Sequence, residues 1–293
     1  MSTQQPSPAT SRVTDLWPGI AAAVSFGVGD VYSKIVLLDG GDVLTLSLFR
    51  GLFSGVVIYA WLRLIPPPVP MTAHQRNMAL LIGVLFAGVV YGLFKAIELT
   101  QVPVAVLSYF VYPLFTGIAG AILGIDKVTW RGMTAAAVAF LGLALIVGAQ
   151  PGPLALGGIA FAVGAAACRT GTLLMTRALL QGVDARLITW YSLVSSTAIF
   201  GAIALATWHW QGPQTGYGWF AMILVGALAT IAVLTLFMST HRIGPFRTAL
   251  IMNLEPLLAT VLAAPLLGEV VTPLQALGGA IMLGALVAFQ LRR

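Results

Sequence analysis

The feature that most limits how this chain can fold is an internal repeat whose two copies must face opposite ways. G-I-A-x-A-V occupies Gly19–Val24 and recurs at Gly158–Val163. L-L-x-G-x-D closes one apolar run at Leu37–Asp42 and another at Leu179–Asp184. Leu93-Phe94 is matched by Leu236-Phe237, and a mid-run proline, Pro113, by Pro256. The matches fall in order, with an offset that drifts by a few residues. Each half holds an odd number of apolar runs long enough to cross a bilayer, so the halves must lie upside-down relative to each other. Such inverted repeats build a site at mid-membrane that can open to either side.

Composition agrees with a membrane setting: 59% of residues are hydrophobic and 8% are charged. A water-soluble fold could not hide that much apolar surface. Runs of roughly 20 apolar residues, each able to span a ~30 Å hydrocarbon core as a helix, are expected at 16–38, 43–65, 77–99, 103–124, 129–149, 154–180, 186–208, 217–241, 245–267 and 271–291. The expected fold is an all-α membrane protein, ten transmembrane helices in two inverted five-helix repeats, 16–149 and 154–293, behind a flexible cytoplasmic tail, 1–15. The tail has no basic segment before a short apolar core, so no cleaved signal peptide is expected. Cys168 is the one cysteine, which excludes an intrachain disulfide.

The net charge of +6 is a topology signal. Arg12, Arg63, Arg76, Lys127, Arg131, Arg177, Arg186, Arg242, Arg247, Arg292 and Arg293 all fall on one side of ten alternating spans. The positive-inside rule makes that side, with both termini, cytoplasmic. The expected location is a bacterial inner (cytoplasmic) membrane, with lipid contacts and no nucleic-acid partner. Trp17, Trp61, Trp130, Trp208, Trp210 and Trp219 sit near span ends and read as an interfacial belt.

Ile251-Met252-Asn253-Leu254-Glu255-Pro256-Leu257, followed by a small-residue run to Leu267-Gly268-Glu269 and a Gly-rich last span, resembles the second repeat of EamA-type carriers of the drug/metabolite transporter superfamily. Tyr112-Pro113-Leu114, Gly124 and Asp126 give the first repeat the matching form, with Tyr112 where the second has Glu255. The resemblance covers the chain from about residue 16 onward. It implies a secondary carrier for a small molecule, most similar to bacterial exporters of amino acids, including aromatic ones; drugs and nucleotide-sugars are the alternatives within the superfamily.

Ionisable residues inside spans cost at least ~2.5–3.5 kcal/mol each at the helix centre and need partners or water. Lys34, Arg50, Lys95, Arg169, Asp30, Glu98 and Glu255 are in that position. At ~1.5 Å per residue, Glu255 and Pro113 both come out near the midplane. The proline breaks free backbone carbonyls there, making Pro113 and Pro256 candidate gating points. Helical spacing collects Phe26, Asp30 and Ser33 on one face, Tyr91 and Lys95 on another, Tyr109, Tyr112 and Thr116 on a third, and Arg169, Thr172 and Thr176 on a fourth. The candidate pathway residues are Asp30, Arg50, Tyr91, Lys95, Tyr109, Tyr112, Arg169, Trp190, Asn253 and Glu255. Structural pairing, snorkelling and helix–helix adhesion are the competing roles for the same residues. Gly51/Gly55, Gly88/Gly92 and Gly120/Gly124 match small-xxx-small helix packing.

His74, His209 and His241 are scattered and show no metal-ligand spacing. No phosphate-binding loop is present, so neither a cofactor nor direct ATP drive is expected. An intramembrane enzyme would need a convergent nucleophile, metal or base, and a structural subunit would have no use for inverted repeats with mid-span Pro and Glu. Among substrates, an amino acid needs an anion and a cation a few ångströms apart, which Asp30 and Glu255 beside Arg50 and Arg169 offer.

Overall fold

A computed structural model describes residues 13–100, 102–147, 156–208, 210–267 and 271–291, and every structural statement below concerns those. Most of the N-terminal tail, the 150–153 loop, His209, Arg12, Arg292, Arg293 and the Gly268-Glu269 pair lie outside them, as does the side chain of Glu98.

The described chain is helical throughout: α1 Trp17–Leu38, α2 Val43–Leu64, α3 Ala73–Leu99, α4 Val102–Tyr109, α5 Tyr112–Ile122, α6 Trp130–Val147, α7 Leu156–Leu179, α8 Ala185–Thr207, α9 Gly216–Ile243, α10 Pro245–Ile251, α11 Leu254–Leu267 and α12 Pro273–Leu291. Nine stretches are long and apolar enough to cross a membrane, and the last helix adds a shorter apolar one. Most boundaries fall within two residues of the sequence expectation. The start of α3 is the exception, four residues early, because Thr72 and Gln75 form a reciprocal capping box ahead of the apolar run.

The repeated L-L-x-G-x-D has a local cause. Gly40 (φ +92°) and Gly182 (φ +78°) turn the chain in a conformation that favours glycine. The aspartates then cap the next helix: Asp42 accepts from the Leu44 and Thr45 amides at 2.8 and 2.9 Å, and Asp184 from the Arg186 amide at 2.9 Å.

Packing follows the repeat. α1 lies along α9 and α3 along α7, pairs that exchange when the two halves are exchanged. α2 packs on α8 and α6 on α12, pairs that map onto themselves. That is the pattern of a two-fold axis in the membrane plane. α6 and α12 approach backbone to backbone, since a Cβ on Gly278 would lie 2.5 Å from the Gly142 carbonyl. The anticipated glycine pairs are crowded unevenly: a Cβ on Gly51 would lie 2.2 Å from Thr197 Oγ1 on α8, and one on Gly92 3.0 Å from the Phe161 carbonyl on α7. Gly55 has only the edge of Trp190 near it and Gly124 nothing, whereas a Cβ on Gly83 would stand 2.1 Å from the Ser192 carbonyl on α8.

Two loop pairs meet at opposite ends. At one end Asp39 accepts from the Gln214 and Thr215 amides at 3.0 and 2.8 Å, and Asp42 from the Gln211 amide at 2.7 Å. At the other, Arg186 is paired with Asp184 at 2.6 Å and donates to the Ile65 carbonyl at 2.8 Å. Burial alone would push the Asp42 carboxyl up, but the hydrogen bonds from Thr45, Gln211 and Leu44 outweigh it and hold the carboxyl below the usual carboxylate range. Its stabilisation is therefore complete above the ordinary aspartate value of ~3.9 and is lost as pH falls through the lower folded value. Asp42→Asn should lower the thermal midpoint at neutral pH. Between about pH 5 and about pH 3 it should lose less stability than the wild-type chain, as followed by thermal unfolding in detergent. Parallel acid profiles would show that the cap contributes nothing.

Candidate functional site

The fourth and ninth spans are both interrupted, and at repeat-related places. α4 stops at Tyr109 and α5 resumes at Tyr112-Pro113; α10 stops at Ile251 and α11 resumes at Leu254-Glu255-Pro256. Side chains bond backbone carbonyls around each break. In the fourth span Tyr112 O accepts from the Thr116 and Thr170 hydroxyls at 2.8 and 3.3 Å. In the ninth, Asn253 Nδ2 donates to Leu250 O at 3.0 Å, and the Thr260 hydroxyl donates to Pro256 O at 2.8 Å. Thr116 and Thr170, from α5 and α7, also touch each other at 3.2 Å, joining the first break to the second repeat.

Six of the ten candidate residues form one charged and aromatic group around these breaks: Asp30, Arg50, Tyr109, Tyr112, Arg169 and Glu255. The carboxyl groups of Asp30 on α1 and Glu255 on α11 lie within hydrogen-bonding reach of each other. Glycine makes the approach possible, because a Cβ on Gly27 would sit 2.8 Å from the Glu255 carbonyl. Arg50 and Arg169 are near enough for their charges to act on Asp30. Packing of α1 against the second repeat brings Asp30 and Arg169 into one charged group.

Arg169 is 3% exposed and Tyr112 1%. The guanidinium carbon lies 5.3 Å from the Phe26 ring centroid, 5.8 Å from Phe86 and 5.9 Å from Tyr112. Such contacts answer the charge with ring electrons but occupy none of the five N–H donors. Nε and Nη1 make no hydrogen bond, and neither does the nearby Tyr112 hydroxyl. Asp30, by contrast, is exposed, and Arg50 and Glu255 are half-buried. Behind Arg50, a cavity of ≈ 20 Å³, room for about one water molecule, is lined by Ser47, Ser54, Ser196 and Thr197.

The other four candidates lie differently. Asn253 is buried and spends its amide on its own helix. Tyr91 is 55% exposed and meets Phe161 edge-on at 6.2 Å, on a different face of α3 from Phe86. Trp190 packs on Tyr59 at 5.2 Å between α8 and α2. Lys95 is half-buried, nine residues beyond Phe86 and so ~13 Å further along α3. Phe86 itself was not anticipated; in sequence it is one more phenylalanine in an apolar run. Among the described residues no three His, Cys, Asp or Glu side chains come together as a metal site.

The two ends of the bundle differ. α10 packs on α5, and Asp126 Oδ2 accepts from the Phe246 amide at 3.1 Å in the first turn of α10. α4 and α11, which exchange of the halves places in the same relation at the opposite end, are barely in contact.

Comparison with known proteins agrees with this architecture. A stretch of 210 residues, 67% of this chain, is 27% identical to the uncharacterized transporter sll1164 of Synechocystis sp., of which the match spans 60%. A crystal structure described only as that of a protein superimposes with a TM-score of 0.80 over 97% of this chain and 100% of its own, at 18% identity, a likeness of fold. The EamA-like transporter family matches residues 16–148 and 156–289, the two halves of the internal repeat, and the chain belongs to that family of membrane carriers.

Proposed function

We propose that the protein exports amino acids across the bacterial inner membrane as a secondary carrier working by alternating access, with both termini cytoplasmic. The observation that carries the reading is the meeting of Asp30, Glu255, Arg50 and Arg169 where two repeat-related spans are broken. An amino acid presents an ammonium and a carboxylate on one carbon, and here carboxyl groups and guanidinium groups stand side by side. Phe26, Phe86, Tyr109 and Tyr112 supply apolar walls. A nucleotide-sugar would call for a surplus of cations, and a lipophilic cation for carboxylates without arginine beside them.

The unequal ends support alternating access. The α5–α10 end is shut while its repeat-mate, α4–α11, is parted, and in the orientation set by the basic loops the shut end is cytoplasmic. Exchange of the two arrangements would open the same site to the other side. Counterflow through proteoliposomes loaded with unlabelled solute tests the reading. Labelled amino acids should accumulate transiently against their gradient, and drugs and nucleotide-sugars should not. Accumulation of a drug or nucleotide-sugar in place of every amino acid would replace the substrate, and no counterflow by any compound would remove the carrier.

A further inference from the structure

Resting on that carrier reading, we propose that Arg169 is the carboxylate-binding element of the site: its guanidinium, with free donors on Nε and Nη1 and the Tyr112 hydroxyl beside it, takes the carboxylate of the substrate, so a free carboxylate is the group every good substrate must carry.

Arg50 and Arg169 are both cations of the cluster, but they stand in different surroundings. Arg50 is half-buried beside Asp30 and borders the small cavity, which Phe86 also lines. Arg169 is enclosed, with rings of Phe26, Phe86 and Tyr112 around its guanidinium carbon. Rings stabilise the charge and leave the donors unused. A buried donor without an acceptor costs about 1–3 kcal/mol, and more when it is charged. Arg169 has two, on Nε and Nη1, and the Tyr112 hydroxyl is a third polar group without a hydrogen bond alongside them. Nη2 forms a planar fork with either of these nitrogens, and the spacing of each fork matches the two oxygens of a carboxylate. An ammonium group cannot use either edge, since it has no acceptor to offer. The carboxyl pair of Asp30 and Glu255 is the complementary partner for the amine, and it lies within the same charge cluster.

Lysine at position 169 keeps the charge but not the fork, so Arg169→Lys separates bidentate recognition from simple attraction. The full-length protein in detergent is titrated, with thermal unfolding as the readout, using matched compounds on the phenylalanine and leucine skeletons: the amino acid, the acid lacking the amine, and the amine lacking the carboxylate. At least one amino acid and its deaminated acid should raise the midpoint, and neither amine should do so. In Arg169→Lys the concentration needed should rise about tenfold to a hundredfold, the loss of a charge-assisted hydrogen bond or two. If Arg169→Lys does not fold, Tyr112→Phe keeps the ring and removes only the hydroxyl, and it should weaken the acids severalfold. Stabilisation by the amines equal to that by the acids, no response to any of these compounds, or an unchanged titration in the folded variant overturns the assignment. The carrier reading fails separately: acids that bind at Arg169 with no counterflow would sink transport and leave the subsite standing. Counterflow of 2-phenylethylamine as fast as phenylalanine would do the reverse.

Discussion

Glu255→Gln is expected to give a folded protein that still exchanges substrate for substrate but no longer responds to a pH gradient. Two ionised carboxylates offer only acceptors, so Asp30 and Glu255 can hydrogen-bond each other only while one of them holds a proton. Glutamine reproduces the protonated partner permanently, because its amide donates to Asp30 without any proton being taken up. The surrounding groups are Arg50 from α2, Arg169 from α7, and Tyr109 and Tyr112 from either side of the first break. None of them has to be rebuilt by the change. Two roles compete for Glu255, a proton carrier and an anchor for Arg169. A carboxyl partner across the bundle, together with unpartnered Nε and Nη1 on Arg169, favours the first. Flux through proteoliposomes, with and without an imposed pH difference, checks it. A variant whose flux keeps the wild-type pH profile would mean that the carboxyl pair is not where protons act, and a variant that fails to fold would restore the anchor.

The largest loss of stability is expected from Gly83→Leu. A Cβ at Gly83 would lie 2.1 Å from the carbonyl of Ser192 and 2.0 Å from the Ser195 hydroxyl. That hydroxyl donates to Leu80 O at 2.7 Å and stitches α8 to α3. The obstacle is backbone, which cannot rotate aside as a side-chain tip can, so the two helices must separate along their contact. Overpacking of this kind costs about 3 kcal/mol or more. In size-exclusion and thermal-unfolding measurements the variant should be recovered in low yield with a depressed midpoint. Gly124→Leu provides the contrast on space alone, since nothing stands within 4 Å of a Cβ there, although its φ of +66° adds backbone strain of ~1–2 kcal/mol. Equal midpoints for wild type and Gly83→Leu would mean that α3 and α8 do not pack as described.

These two cases also mark how far the sequence could be read. Span positions follow from the length of apolar runs, and the breaks from proline at matching places. The turns at Gly40 and Gly182 with their capping aspartates follow from a motif that local chemistry explains. The Asp30–Glu255 pair does not follow, because it depends on how α1 seats against α11, and a helical wheel says which residues share a face but not what that face meets. For the same reason Phe86 went unnoticed, and the face that Tyr91 shares with Lys95 did not tell that its ring meets Phe161. Glycine spacing was a partial guide to close packing: Gly51 and Gly92 stand against neighbouring helices, Gly55 and Gly124 do not, and Gly83, in none of the anticipated pairs, answers to a carbonyl on α8. Asn253 was right in place and different in role, holding the carbonyls of the ninth-span break.

Alternating access by exchange of the two ends is the central claim, and locking the shut end tests it most directly. Asp126 and Phe246 are joined across that end, carboxylate to amide at 3.1 Å. With Cys168 replaced by serine, cysteines at 126 and 246 can be bridged by a short bis-methanethiosulfonate reagent and released by reduction. Counterflow of the best amino acid should stop when the bridge forms and return when it is cut. Counterflow at the full rate with the bridge intact would contradict the account.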